Sequence, residues 1–310
     1  MSSSGRRGAF TISLDCEGLW GMADDPAVIS RGAINDVSLS FAYDRILSIL
    51  DRNGLIATAA FVSSFACNVE MLYDNIALFE ELERLNPIWF ASIVERLKTG
   101  VLDGWRGAEH YKAMSAAGCE MAWHGATHQP LSQDVSDECL TLELELASRF
   151  FTAINSRPET IVFPRNRVGH LKRLLGAGFK TYRDSDEQGV FSKVVNLSKE
   201  FNWLSPCEMS PPRQRDGWWV CPPGHFLNWP SGVRAAVPVA LTVARWKSML
   251  CDAAERGGYV HMWFHPHNLI TAPAILTSFE AILNYAGELK RKGYLSNPTM
   301  EQSVAFLGLE

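Results

Sequence analysis

The sequence predicts an α/β fold built around a mainly parallel sheet. Two observations support this prediction: apolar runs alternate between the spacing of strands and the spacing of helices, and polar residues collect where predicted strands end. The resulting strand–helix rhythm is typical of a parallel barrel or of a doubly wound sheet. Both architectures place functional residues at the carboxyl ends of the strands.

The predicted elements follow this rhythm along the chain. A strand at 10–14 precedes an amphipathic helix at 36–50, which Asn53-Gly54 ends, and a second strand follows at 56–62. The stretch 71–118, with helices at 74–85, 87–98 and 107–117, predicts a helical insertion before the strand at 119–123. The rhythm then resumes with helices at 136–155, 168–177, 239–256 and 274–292, and with strands at 160–163, 179–182, 218–221 and 259–264.

One segment does not fit the rhythm. Residues 185–238 are rich in proline, tryptophan and arginine, and outside the strand at 218–221 they predict long loops of the kind that often contact substrates. Because the sequence contains neither repeats nor a low-complexity linker, we expect residues 1–310 to form one domain.

Composition and charge argue against several classes of protein. The 310 residues are 47% hydrophobic and carry a formal net charge of −5, which gives no general attraction to nucleic acid or to an anionic membrane. The amino-terminal residues lack a long apolar stretch, so we expect neither a secretory signal nor an integral membrane segment. Seven widely spaced cysteines without a CxxC pair indicate reduced thiols and a cytoplasmic protein.

The first candidate functional residues are Asp15 and Glu17, at the end of the first predicted strand. Because side chains alternate along a strand, both carboxylates point to one face, while Cys16 points to the other. One carboxylate can hold a cation while the other accepts a proton. The alternative for this pair is a solvated acidic turn.

Two histidines, His124 and His128, follow the strand at 119–123. Their imidazoles can reach one ion if the backbone turns back between them, and Gly125 permits such a turn. With Glu17 they would form a site of two histidines and one carboxylate that leaves positions open for water and substrate. The same ligand set occurs in iron oxygenases, which is an alternative for these three residues.

A third group of candidates ends the strand at 259–264. His261 and His265 share a face of that strand. Pro266 ends the strand, so His265 lies at its carboxyl end, where an imidazole suits general acid chemistry. For His261 and for the nearby His267, hydrogen bonding within the core is an equally good explanation.

A fourth group follows the strand at 160–163. In the segment Phe163-Pro164-Arg165-Asn166-Arg167, either arginine can hold a carboxylate in a two-pronged pair. Arginines exposed on the surface are the alternative.

In their order along the chain, these residues resemble the polysaccharide deacetylases of the NodB homology group, carbohydrate esterase family 4. The similarity covers about residues 10–306. The segment SLDCE at 13–17 resembles the first family motif, HGATH at 124–128 the HxxxH metal motif, and FHP at 264–266 the late histidine motif. The longer patterns SLD-x-E-x-x-WG, FPRN and WFHPHN are similar to a cytoplasmic branch associated with O-antigen and other surface-glycan biosynthesis.

The resemblance implies a distorted (β/α)7 barrel that binds one divalent metal ion. Zinc is the first expectation, with nickel, cobalt, manganese or iron as alternatives. The metal ligands would be Glu17, His124 and His128, while Asp15 would be the general base and His265 the general acid.

The sequence departs from the family pattern at several positions. Val162 replaces the family's arginine, so Arg165 is expected to orient Asp15, with Arg167 as the alternative. Arg183-Asp184 would fill the place of the D-x-x-D-W segment. Candidate substrate-binding residues are Trp20, Arg167, Arg183, Asp184 and His267, and Trp218, Trp219 and Trp229 could also stack on a sugar.

The expected activity is therefore metal-dependent N-deacylation of an amino sugar, as deacetylase rather than deformylase. The substrate would be a sugar nucleotide, a lipid-linked sugar or a short glycan. Two alternatives stay open: an amidase on a non-sugar substrate such as a ureide ring, and a barrel that only binds glycan. A binding module needs neither a base nor an acid, so the presence of Asp15 and His265 argues against the second.

Overall fold

The computed structural model describes residues 7–185, 210–227 and 232–307. Ten strands in these ranges form one sheet: β1 (Gly8–Cys16), β2 (Thr58–Phe61), β3 (Glu120–Trp123), β4 (Thr160–Val162), β5 (Thr181–Arg183), β6 (Arg213–Arg215), β7 (Trp218–Cys221), β8 (His225–Phe226), β9 (Tyr259–Phe264) and β10 (Leu295–Ser296). The strand order is β6-β7-β5-β4-β3-β2-β1-β9-β8, with β10 beside β1. Within the described part, all neighbouring strands are parallel except β6 and β7.

Helices connect these strands. In the described ranges they are α1 (Pro26–Ser30), α2 (Asp36–Arg52), α3 (Ser63–Ala66), α4 (Val69–Asp74), α5 (Ile76–Leu85), α6 (Pro87–Thr99), α7 (Ala108–Ala116), α8 (Asp137–Ala153), α9 (Leu171–Gly176), α10 (Val239–Arg256), α11 (Asn268–Thr271), α12 (Ala274–Arg291) and α13 (Met300–Leu307). Short 3₁₀ helices occur at Gly18–Met22, Pro164–Asn166 and Gly232–Ala236. Helices α3 to α7 all lie between β2 and β3, the region where the sequence predicts a helical insertion.

Local signals in the sequence explain where the long helices begin and end. Asn35 and Ser38 cap α2 reciprocally, and the Ser136 hydroxyl accepts a hydrogen bond from the Cys139 amide at 3.2 Å at the start of α8. Helix α10 ends at Gly257, whose φ of 72° is the left-handed conformation that glycine adopts without strain.

The predicted α/β fold with a curled, mostly parallel sheet is confirmed. Strands β1 to β5, β7 and β9 correspond to the seven predicted strands that alternate with helices. The remaining three strands in the described ranges are two or three residues long, too short to produce a period in the sequence.

The structure describes residues 185–238, for which the sequence predicts long loops, only in part. That region contains β6 and β8 in addition to the expected β7, while residues 186–209 and 228–231 lie outside the described residues. The expectation that 1–310 is one domain stays a prediction. No helix within the described ranges has both the length and the hydrophobicity needed to cross a bilayer.

The two faces of β1 differ in chemistry, and this difference positions the functional residues. Phe10, Ile12, Leu14 and Cys16 belong to the large core under the helices, whereas the alternate residues Thr11, Ser13 and Asp15 are buried and polar. The polar face points to the concave side of the sheet, where a separate small cluster is formed by Ala60, Ala122, Val162, Cys221 and Met300. Polar side chains of the inner face can therefore meet at the carboxyl ends of the strands.

Candidate active site

The structure brings together the three residues predicted as metal ligands. Glu17 directly follows β1, and His124 directly follows β3, a strand separated from β1 only by β2. Glu17 Oε2 lies 2.6 Å from His128 Nε2 and 3.4 Å from His124 Nε2. The potential ligand atoms of all three side chains lie within 4.8 Å of one another, and all three residues are buried.

This cluster fits a divalent cation. The Nδ1 atom of His124 lies 2.7 Å from the Val162 carbonyl oxygen, to which it donates as N–H, so the Nε2 lone pair faces Glu17. Among the described residues, neither His124 Nε2 nor Glu17 Oε2 makes a hydrogen bond of acceptable geometry, although both histidine Nε2 atoms lie close to this carboxylate oxygen. Buried polar atoms without partners are uncommon, and an ion bound between these atoms would satisfy both.

Two glycines, Gly125 and Gly21, leave room for the side chains of this cluster. Gly125 has a φ of 80°, as expected for the turn between the two histidines, and a Cβ atom there would lie 2.9 Å from the Pro164 side chain. At Gly21, a Cβ atom would collide with the Glu17 carboxylate. The sequence alone indicated the first glycine but not the second.

Asp15 is paired with an arginine, although not with the one expected. Both terminal guanidinium nitrogens of Arg183 donate to Asp15, with Nη1 2.8 Å from Oδ1 and Nη2 2.7 Å from Oδ2. Arg183 also donates to Ser13 Oγ at 3.1 Å and to Asn166 Oδ1 at 3.0 Å. Burial, the largest single effect, raises the pKa of Asp15, but the charge and hydrogen bonds of Arg183 together with the charges of His124 and His265 outweigh it and lower the pKa below its usual value. Asp15 is therefore held ionised and in a fixed orientation.

Arg165 does not orient Asp15, contrary to the expectation. Its guanidinium donates to the Gly21 carbonyl at 2.9 Å and to Asp24 Oδ1 at 2.7 Å. The cause is the backbone, because Arg165 and Asn166 have φ angles of 55° and 53° in a left-handed turn that the sequence does not reveal. Arg167, the alternative, is exposed on the surface.

His265 stands beside both carboxylates. Its Nε2 atom is 3.8 Å from Glu17 Oε1 and 4.0 Å from Asp15 Oδ2. Its side chain is 25% exposed, compared with 2–3% for the two carboxylates, so it marks the open side of the cluster. The side-chain nitrogen of Asn268 lies 3.4 Å from His265 Nδ1, so Nδ1 is turned towards Asn268 and Nε2 faces the carboxylates.

The other two histidines of this segment are buried. His267 Nδ1 lies 3.9 Å from Glu17 Oε1, and burial lowers the pKa of His267 to about 4. His261 is a core residue: its Nε2 lies 2.8 Å from Ser13 Oγ, its Nδ1 lies 3.2 Å from the Pro222 carbonyl, and burial lowers its pKa to about 3. His267 thus adjoins the candidate metal ligands, whereas His261 supports Ser13 beneath Arg183.

Several of the expected substrate-binding residues have contacts within the protein. Trp20 is fully buried and donates from Nε1 to the Trp105 carbonyl at 2.9 Å, so its ring packs in the core and not against a substrate. Arg183 is buried with Asp15, and Asp184 accepts a hydrogen bond from Arg213 at 3.4 Å. Trp218 is also buried, Trp219 is partly exposed, and Trp229 lies outside the described residues.

Cys16, between the two carboxylates, points into the core as strand alternation predicts. Its Sγ atom is buried 3.6 Å from the Leu14 carbonyl oxygen, and burial raises the pKa of the thiol well above its usual value. The thiol is therefore not available to the cluster.

No protein-family model and no curated protein matches the chain. Solved structures match it over nearly its whole length. A protein assigned as a polysaccharide deacetylase from Mycobacterium smegmatis is 16% identical with a TM-score of 0.55, covering 99% of this chain and 92% of that chain. A second, from Pseudomonas aeruginosa PAO1, is 13% identical with a TM-score of 0.57, covering 96% and 90%.

A third structure with this fold is Puue allantoinase, 14% identical with a TM-score of 0.56, covering 96% of this chain and 89% of that chain. Such low identities establish a shared fold and leave the activity open. The expected NodB-like form of the barrel is thereby confirmed.

Proposed function

We propose that this protein is a metal-dependent hydrolase that removes an acyl group from the nitrogen of an amino sugar. The observation that carries the proposal is the meeting of Asp15, ion-paired with Arg183, and His265 on the buried cluster Glu17–His124–His128. A base, an acid and a cation site within one cluster of side chains are the parts that amide hydrolysis requires.

The chemical problem is that water is a poor nucleophile and an amine is a poor leaving group. A divalent ion held by Glu17, His124 and His128 would polarise the acyl carbonyl and lower the pKa of nearby water. Asp15, kept ionised by Arg183, accepts the proton of the attacking water at a carboxylate oxygen. His265, in its protonated form, donates a proton from Nε2 to the departing nitrogen, so that the ring becomes neutral imidazole and the nitrogen leaves as a neutral amine.

The exposure of these side chains supports this assignment of roles. The side chain of His265 is more exposed than that of Asp15, as suits a group that must contact the leaving part of a bulky substrate. Asp15 is almost completely buried, as suits a base whose proton source is one small water molecule. The interchange of roles would place a buried aspartate, held ionised by Arg183, in the position of the acid.

The finer assignments rest on the sequence motifs. SLDCEGLWG, FPRN and WFHPHN support a cytoplasmic role in surface-glycan biosynthesis, with an N-acetyl group more readily than an N-formyl group as the target. The substrate would be a sugar nucleotide, a lipid-linked sugar or a short glycan. Two imidazoles and one carboxylate are a ligand set that suits zinc, and nickel, cobalt, manganese and iron are alternatives.

The test is a substrate screen with the metal-loaded protein. N-acetyl and N-formyl sugar nucleotides are incubated with wild type and with Asp15→Asn, and products are identified by mass spectrometry together with assays of released acetate and formate. We expect wild type, and not the variant, to produce a free amino sugar. Equal product from both proteins, or product from neither over the whole panel, contradicts the proposal.

A second candidate is an amidase that opens a ureide ring, and the fold shared with Puue allantoinase favours including it. Both reactions would use the same base and the same cation site. Ureide substrates belong in the same screen, because ring opening releases no acetate or formate. A barrel that only binds glycan is less well supported, since a binding protein has no need of the buried Asp15–Arg183 pair.

A further inference from the structure

The turn that carries the two candidate metal-binding histidines is held from several sides. On one side the amides of Ser63 and Ser64 donate to the carbonyls of Gly125 and Ala126, each at 3.0 Å. From the helical segment α6, Trp89 Nε1 donates to the Thr127 carbonyl at 3.4 Å. These contacts satisfy the carbonyl oxygens of the turn.

The amide groups of the same turn are satisfied by a single carboxylate. Glu143, on α8, is fully buried, and its Oε2 accepts from the Ala126 amide at 2.9 Å and from the Thr127 amide at 3.3 Å. Its Oε1 accepts from the Thr127 hydroxyl. Both oxygens of this buried side chain thus face Ala126 and Thr127, two of the three residues between His124 and His128.

The two histidines differ in how their rings are fixed. His124 is anchored through Nδ1 on the Val162 carbonyl, as metal-binding histidines usually are. His128 Nδ1 has no hydrogen-bond partner among the described residues, and the residue has a φ of 65°. The position of the His128 ring therefore depends on the backbone of the turn and on packing against Trp89, whose ring centroid lies 6.0 Å away.

We infer that Glu143 is a positioning residue for the metal site, acting through the turn at Ala126 and Thr127 to place His128 opposite Glu17 and His124. This inference rests on the proposed metal site. Without the carboxylate, two buried amides lose their acceptor and the turn must shift to find another. A metal site tolerates little displacement of a ligand, so the shift weakens metal binding.

The experiment measures zinc binding to the metal-free protein by isothermal titration calorimetry, and the visible absorption of the cobalt-substituted protein. Glu143→Met keeps the length of the side chain but removes the acceptor, and should weaken zinc binding about tenfold or more and alter the cobalt spectrum. Glu143→Gln keeps an oxygen for the two amides and should bind zinc nearly as well as wild type. Leu146→Ala, a buried apolar change one turn along the same helix, removes no hydrogen bond to the turn and should lower the melting temperature while leaving zinc affinity unchanged.

The outcomes separate this inference from the proposed function. If wild type binds neither zinc nor cobalt, the proposed metal site fails, and Glu143 has nothing to position. If wild type binds zinc and Glu143→Met binds it equally well with the same cobalt spectrum, only the inference is overturned. Equal losses in Leu146→Ala and Glu143→Met would also overturn it.

Should Glu143→Met fail to fold, Thr127→Val replaces it. This variant removes the hydroxyl contact to Glu143 and the 3.3 Å hydrogen bond from the Gln129 amide to the same hydroxyl, and it should weaken zinc binding in the same direction by a smaller factor. An unchanged affinity in Thr127→Val would then overturn the inference.

Discussion

Arg183 binds both carboxylate oxygens of Asp15, at 2.8 and 2.7 Å, although β4, β3 and β2 lie between their strands in the sheet. The curl of the sheet brings the two side chains together across its concave face. Small residues such as Ala60 and Ala122 on the intervening strands leave room for this contact. The orientation and the ionisation of the candidate base are thus set by a residue on a distant strand.

Arg183→Met should lower kcat/KM by about a hundredfold or more, because Asp15 loses both its orientation and the charge that keeps it ionised. It should also cost about 3–5 kcal/mol of unfolding free energy, since a buried carboxylate is left without its partner. Arg183→Lys keeps the charge without the two-pronged geometry, so its kcat/KM and its unfolding free energy should lie between those of wild type and of Arg183→Met. Steady-state kinetics and urea unfolding measure both effects, and wild-type kinetics for Arg183→Met would contradict the role.

Asp15→Asn should reduce turnover by about a hundredfold to ten-thousandfold while leaving metal affinity nearly intact, because Asn is isosteric but cannot accept the proton. Parallel kinetics and zinc titrations check this separation. If the zinc affinity and the turnover of Asp15→Asn fell together, Asp15 would act as a metal ligand rather than as the base.

The carboxyl group of Glu143 predicts a particular dependence of stability on pH. Burial raises its pKa in the folded protein from 4.5 to about 7, although hydrogen bonds from Thr127 and Ala126 oppose the shift. Between these values the unfolded chain loses the proton before the folded protein does, so rising pH destabilises the folded state. The contribution amounts to about 3 kcal/mol once the pH exceeds both values.

The side chain introduced by Glu143→Gln does not titrate, so this variant should not lose unfolding free energy in this way as the pH rises. Urea unfolding of both proteins in the presence of a chelator, at about pH 5 and about pH 8, measures the difference. The unfolding free energy of wild type should fall relative to that of Glu143→Gln as the pH rises. Parallel pH dependences for the two proteins would mean that Glu143 titrates in its ordinary range.

Trp20 should matter for stability and not for substrate affinity. Trp20→Ala removes a fully buried ring that packs against Trp105 and Phe79, and should cost about 3–5 kcal/mol. Trp20→Phe should recover much of this loss. A KM that rose in Trp20→Phe without a change in stability would restore the expected role in sugar binding.

The sequence predicted the parts of the site that follow from strand alternation and from the ends of parallel strands. Asp15, Glu17, His124 and His265 could be expected to converge because each lies where a strand of one sheet ends. The role of Arg183 could not be predicted, since its reach to Asp15 depends on the curl of the sheet and on small side chains of the strands between them.

Backbone conformation explains the remaining errors. The left-handed turn at Arg165 and Asn166 directs the Arg165 guanidinium towards Asp24, and the residue types at those positions do not indicate such a turn. Glu143 lay within an ordinary amphipathic helix, where the sequence contains no sign that its carboxylate contacts the turn between the histidines.

Glu17, His124 and His128 should together bind one divalent ion beside Asp15 and His265. Anomalous diffraction from crystals of the zinc-loaded protein, recorded on both sides of the zinc absorption edge, locates the ion. We expect a single strong peak at about 2.0–2.2 Å from one atom of each of the three side chains. A zinc-loaded crystal with no peak there, or with its zinc bound elsewhere, would show that these three residues are not the metal ligands.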